Sequence, residues 1–159
     1  MARAKKIPGI DADTEFREAG ARAVEVRSGE FFSFQRGVLD TADIERVHAM
    51  RVASRRLRAV LEVFAPCFPR RAHAQALKEV KALADVLGER RDPDVAIEGL
   101  ARIAAGLTAA DRPGIRGLIA EFEEGQRTGN ERLARALEEI QERGLRARLL
   151  ALAEAARAE

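Results

Sequence analysis

The chain has no tryptophan, no tyrosine, one cysteine, two methionines, two histidines and five prolines in 159 residues. Each shortage excludes something. Cys67 stands alone, so no intrachain disulfide can form, and a reducing, cytoplasmic setting is the expectation. A structural or transition metal takes three or four closely spaced ligands. His48 and His73, 25 residues apart and joined only by one thiol, do not supply them, so no metal and no cofactor is expected. No apolar stretch approaches the roughly 18 residues that a membrane-crossing helix needs. The opening MARAKKIPGI is basic with no apolar run behind it, unlike a secretory signal. No G-x-x-x-x-G-K-[ST] loop and no Ser/His/Asp or Cys/His signature occurs. The expectation is a binding module, not an enzyme.

What is present is 47% apolar and 34% charged, rich in Ala, Leu, Arg and Glu and poor in β-branched residues. That composition predicts an all-α chain. A basic tail over residues 1–10 precedes one domain over 11–159. Gly and Pro punctuation divides that domain into about six helical stretches, the pieces of an antiparallel bundle. The first runs from about Asp13 to Phe34. The second, capped by Asp40 or Thr41, reads on to Phe64. A third starts near Arg70 and ends at Gly88 as a C′ residue. Asp92-Pro93-Asp94 opens a fourth, with Asp92 as N-cap and Pro93 at N1, that reaches Gly106. The fifth begins near Asp111 and carries Ile115, Leu118, Phe122, Leu133, Leu137 and Ile140 on one side. Gly144 divides it from a sixth with Leu145, Leu149 and Leu152. The Phe31-Phe32-Ser33-Phe34 cluster predicts a buried helix–helix corner.

Charge is unevenly placed. Residues 46–91 hold eleven Lys and Arg against four acids, a net of +7, while the remainder carries −5. A located basic region suits an anionic partner. On a wheel of the second helix, Met50, Ala53, Leu57, Val60 and Phe64 gather in one arc as the buried stripe. His48, Arg51, Arg55 and Arg58 gather roughly opposite, and Arg56 stands to the side. Like charges three or four residues apart repel. Either carboxylates of another helix approach this column or an anion does. In the next helix Lys78, Lys81 and Asp85 share a polar side. Arginine's planar fork gives two parallel N–H···O bonds to phosphate and stays charged.

The stretch His48-Ala49-Met50-Arg51-Val52-Ala53-Ser54-Arg55-Arg56-Leu57-Arg58 is similar to the signature helix of the CHAD family, the conserved histidine α-helical domain. Downstream, Leu87-Gly88 followed by Arg90-Arg91-Asp92-Pro93-Asp94-Val95 resembles that family's Leu-Gly … Arg-Asp-Leu-Asp-Val turn. Lys81 stands where Lys or Arg is usual. The resemblance spans roughly residues 10 to 157, as the first half of a family domain. It implies half of a fold made of two four-helix bundles around a basic channel, and non-catalytic binding of inorganic polyphosphate. It also implies association with polyphosphate granules. His48, Arg51, Arg55, Arg56 and Arg58 would be the signature helix's phosphate contacts, with Lys81 from the next helix and Arg91 from the turn. Lys78, beside Lys81, and Arg90, beside Arg91, complete the expected polyphosphate-binding set. Asp92 would serve as a cap and ion-pair partner. Pro93 replaces the usual Leu. The family's second basic helix is missing after Val95, so either a homodimer restores the second bundle or the chain binds more weakly as a monomer with one open basic face. Apolar contacts through Phe31–Phe34 or Leu145, Leu149 and Leu152 would hold the dimer.

Two other classes compete. RNA also presents a line of phosphates, but single-strand binding adds aromatic platforms that this chain largely lacks. A helical scaffold whose arginines dock an acidic protein is the other. Competition among polyphosphate, RNA and an acidic protein at fixed salt separates the three.

Overall fold

The computed structural model describes residues 4–158, so the first three residues of the expected tail lie outside the described ones. Among the described residues five α-helices follow one another: α1 (Phe16–Ser33), α2 (Ile44–Val63), α3 (Arg70–Ala105), α4 (Arg112–Glu142) and α5 (Leu145–Ala158). A single 3₁₀ turn, Ala65–Cys67, joins α2 to α3, and no strand occurs among the described residues. The all-α, antiparallel architecture is as the punctuation predicts. α2 packs on α1 and α3, α5 packs on α1, and α4 packs mainly on α3. The core is aliphatic: Met50, Leu57, Leu61, Leu83, Leu87, Leu133, Leu145 and Leu149 are all fully buried.

The stripes read from the sequence are mostly those observed. Met50, Ala53 and Leu57 are fully buried, and Val60 and Phe64 pack against the core from its edge. Phe31 is buried, with Phe32 edge-on to its ring at 5.0 Å. Leu145, Leu149 and Leu152 are equally buried against the rest of the bundle. Of the two apolar segments expected to hold a dimer, Leu145, Leu149, Leu152 and Phe31 are thus spent on this chain's own core, and Phe32 and Phe34 are partly buried against it. The division at Gly144 is as expected: its φ of +62° is the left-handed conformation that ends α4 and favours glycine. The N-terminus of α2 lies further on than expected. Asp40 Oδ1 accepts from Ala42 N at 2.9 Å in a local turn, and the helix begins only after Asp43.

The largest correction concerns the expected third and fourth helices, which are one 36-residue helix, α3, with Pro93 inside it. An internal proline removes a backbone hydrogen bond and crowds the preceding turn, at a cost of about 3 kcal/mol. Contacts with α4 hold the helix through that point. Arg90, fully buried, donates to Asp94 Oδ1 and to Asn130 Oδ1, both at 2.6 Å. Gln126 Nε2 donates to the same Asp94 oxygen at 2.7 Å. Asn130 Nδ2 in turn donates to the Leu39 carbonyl at 2.6 Å, tying the α1–α2 loop to α4. This approach is close enough to need glycine. A Cβ on Gly129 would meet Arg90 Cα at 3.1 Å. Asp94 and Arg90 thus straddle Pro93 with paired charges, and neither Gly88 nor Asp92 ends or begins a helix.

Beyond that network the bundle thins. α2 has 20 residues and α3 has 36. At 1.5 Å per residue α3 outruns its neighbour by about 20 Å. Between Asp94 and Gly129 no residue is fully buried. Residues 93–105 of α3 and 112–126 of α4 form a two-helix arm, and Leu118 and Phe122, expected in a core, are exposed on it.

At the other side of the bundle Arg157 clamps α5 to α1, donating to Glu18 at 2.8 Å and to Glu25 at 2.6 Å. The hydrogen bond from Arg22 and then that from Arg157 hold Glu18 below its ordinary 4.5. The bond from Arg157 does the same for Glu25. Depressed carboxyls stabilise the folded state above their ordinary value and lose that contribution as pH falls through the depressed one. A Tm series from about pH 5 down to pH 3 will therefore fall, and Arg157→Ala will flatten the fall by removing the clamp.

Candidate anion-binding groove

The column on α2 faces α3 across an open groove of 420 Å³. Arg51, Arg55 and Arg58 form one wall, and Ala84, Asp85, Gly88, Glu89 and Asp92 form the other. Gly88, expected as a helix stop, instead leaves room for a side chain: a Cβ there would lie 3.9 Å from Arg51 Nε. The continuity of α3 through Gly88 is what lines up Asp85, Glu89 and Asp92 at spacings of four and three, on one side of one helix.

Carboxylates do approach the arginine column, which answers one half of the question its spacing posed. Yet among the described residues neither Arg51 nor Arg55 makes an ion pair, and neither do Asp85 and Asp92. Glu89 turns outward to Arg132 at 2.9 Å. Asp92 is exposed and pairs with nothing, so it is neither the cap nor the ion-pair partner expected. At the end of the column Glu62 receives Arg58 Nε at 3.1 Å and Lys81 Nζ at 3.0 Å. These two bonds, Lys81 first, hold the Glu62 carboxyl below its ordinary value.

The expected site residues therefore divide. Arg51, Arg55 and Arg58 share the groove, and Lys81 joins them through Glu62. His48, half-buried, stands one turn before Arg51 on α2, and Lys78 is exposed one turn before Lys81 on α3. Three residues stand elsewhere. Arg56 reaches to α1, where its Nη1 lies 2.9 Å from the buried Glu30, which also binds Arg27 at 2.7 Å. Arg90 is fully buried in the α3–α4 network and has no surface to offer a ligand. Arg91, its side chain only 11% exposed, lies along α3 toward Asp94 at 3.6 Å and Glu98 at 3.7 Å. In each case an internal carboxylate claims the guanidinium. The acidic wall is what the sequence reasoning missed. Its signal, acids at 85, 89 and 92, was hidden by the expected break at Gly88.

His73 is buried, stacks on Phe68 at 5.7 Å and donates from Nε2 to the Leu61 carbonyl at 2.8 Å, a packing role. Among the described residues no three His, Cys, Asp or Glu side chains come together as a metal would need. No helix there is long and apolar enough to cross a membrane.

The chain was compared with known proteins. No curated protein and no solved structure matches it. A family model for the CHAD domain matches residues 23–159, a span that takes in the arginine column, the whole of α3 and the two helices that buttress it. The signature helix and the Leu87–Val95 stretch thus sit within one continuous match, and the chain belongs to the CHAD domain family.

Proposed function

We propose that the α2–α3 groove binds inorganic polyphosphate without transforming it. The observation that carries this reading is the pair of unpaired arginines, Arg51 and Arg55, held open in a groove with Arg58. Membership of a family associated with polyphosphate binding supports it. From Arg51 to Arg58 the column runs about 10 Å along α2. Consecutive phosphates of a chain follow such a line better than a compact anion does. Each guanidinium offers paired donors to phosphate oxygens. His48 and Lys78 extend the column at either side, and Lys81 becomes a contact once it leaves Glu62.

The groove walls contain no aromatic residue, so unstacked bases find no platform there. The exposed phenylalanines, Phe16 and Phe122, stand on other elements. That favours a bare phosphate chain over single-stranded RNA. Calorimetry with polyphosphate, orthophosphate and single-stranded RNA at matched phosphate concentration tests the reading. Polyphosphate should bind tightest, with affinity falling steeply as salt rises, because each neutralised phosphate releases a counterion. Equal binding of RNA, or salt-independent binding, would overturn it.

Glu62 tunes this groove. Its carboxylate occupies Arg58 and Lys81 where a phosphate would sit, so an incoming anion displaces it. Glu62→Gln keeps the size and removes the charge. Exposed pairs are individually weak, so the expected gain in polyphosphate affinity is about threefold at low salt, shrinking as salt rises.

A further inference from the structure

The arm built from residues 93–105 and 112–126 has no covering helix. Val95 is 52% exposed, Ile103 55%, Leu118 44% and Phe122 40%. Its most informative feature is the face that continues the bundle's buried side. Steps of three and four from Leu87 lead along α3 through Arg90 and Asp94 to Glu98 and Arg102. Steps from Leu133 lead along α4 through Asn130 and Gln126 to Glu123, Ile119, Arg116 and Arg112. This face changes from apolar, in the bundle, to a buried polar network, and then to charge. On both helices the charge is segregated, with arginine toward the tip of the arm and glutamate toward its base.

Within the chain these charges are poorly used. Arg112, Arg116 and Glu123 make no ion pair among the described residues. Arg102 reaches only the backbone carbonyl of Glu98, at 3.4 Å, and Glu98 has one long contact, to Arg91 at 3.7 Å. We propose that the arm pairs with the arm of a second copy of this chain. The two lie antiparallel, so that each basic tip meets the partner's acidic base.

Register supports a single two-fold axis. Gly129 lies on Arg90 and Gly125 on Pro93. Stepping on from these contacts sets Leu100 of α3 level with Ile119 of α4. Glu98 and Arg102 are centred on Leu100, and Arg116 and Glu123 are centred beside Ile119. An axis through that one level brings Glu98 against the partner's Arg102 and Arg116 against the partner's Glu123, and each pair is then repeated by symmetry. Parallel arms would instead set arginine on arginine. Ile97 and Ile119, both half-buried, with Ala101 form the apolar lane between the charged columns. Two helices of about 20 Å per copy make an interface at the small end of stable ones.

The test uses the whole chain without any polyphosphate, so its outcome is independent of the anion reading. Sedimentation in low-salt buffer, from about 1 to 300 µM, should pass from monomer to dimer. Arg102→Glu with Arg116→Glu makes the four facing positions all acidic, and Glu98→Arg with Glu123→Arg makes them all basic. All four positions are exposed, so circular dichroism should be unchanged. Each double variant should dimerise weaker by on the order of 100-fold. An equimolar mixture of the two should recover a heterodimer, since every facing pair is again opposite in sign. A mass that stays at 17.5 kDa throughout overturns the proposal. So does a dimer that both variants retain, or a mixture that fails to associate.

Discussion

Removing Arg51 and Arg55 together should abolish most polyphosphate binding while leaving the protein folded. Both line the groove and neither is paired within the chain. A hydrogen bond to a charged group contributes about 1.5–3 kcal/mol, so losing two such contacts weakens binding at least ~100-fold. Stability should move by no more than about 0.5 kcal/mol, since no buried partner is left behind. Easing the repulsion along the column acts in the stabilising direction, so Tm should stay level or rise slightly. Calorimetric titration and a melting curve on the same sample read both quantities. Loss of binding together with loss of folding would mean that these arginines hold the bundle, and the groove would not be a ligand site.

Arg90→Ala should do the opposite. Its guanidinium bridges Asp94 and Asn130 at full burial, so truncation strands the Asp94 carboxylate in the interior with Gln126 as its remaining close donor. Breaking a buried pair from one side costs about 3–5 kcal/mol. For a chain of this size that corresponds to a Tm lower by roughly 6–20 °C. Polyphosphate affinity, measured well below the new Tm, should match that of the unaltered protein. Replacing both ends at once, as Arg90→Met with Asp94→Leu, should cost less than Arg90→Ala alone, because no charge is then left uncompensated.

Arg51, Arg55 and Arg90, and Arg56 with them, mark how far the sequence could be read. The helical class, the α2 stripe and the stop at Gly144 follow from local periodicity and from one glycine's freedom, and both are written within a few residues. The α2 arginine column was legible for the same reason. Arg90 and Arg56 were not, because their fates depend on Asn130 and Glu30, 40 and 26 residues away. Pro93 misled for a related reason. Proline's local preference is to start a helix, and only the tertiary contacts of its flanking charges override that preference. Once α3 was cut at Gly88, the alignment of Asp85, Glu89 and Asp92 disappeared with it. Asp85 then stands alone among the lysines of a shorter helix, with no acidic wall to continue it.

Pro93 also has a consequence for how the molecule breathes. It removes one rung from the hydrogen-bond ladder of α3 at the point where core burial ends. On the bundle side, amides can exchange with solvent only when the aliphatic core opens. On the arm side no fully buried residue opposes fraying. Amide exchange along one uninterrupted helix should therefore divide into two cooperative units, with residues 95–105 exchanging orders of magnitude faster than residues 76–90. The arginine groove lies on the slow side of that boundary, so its geometry is kept while the arm beyond it opens and closes.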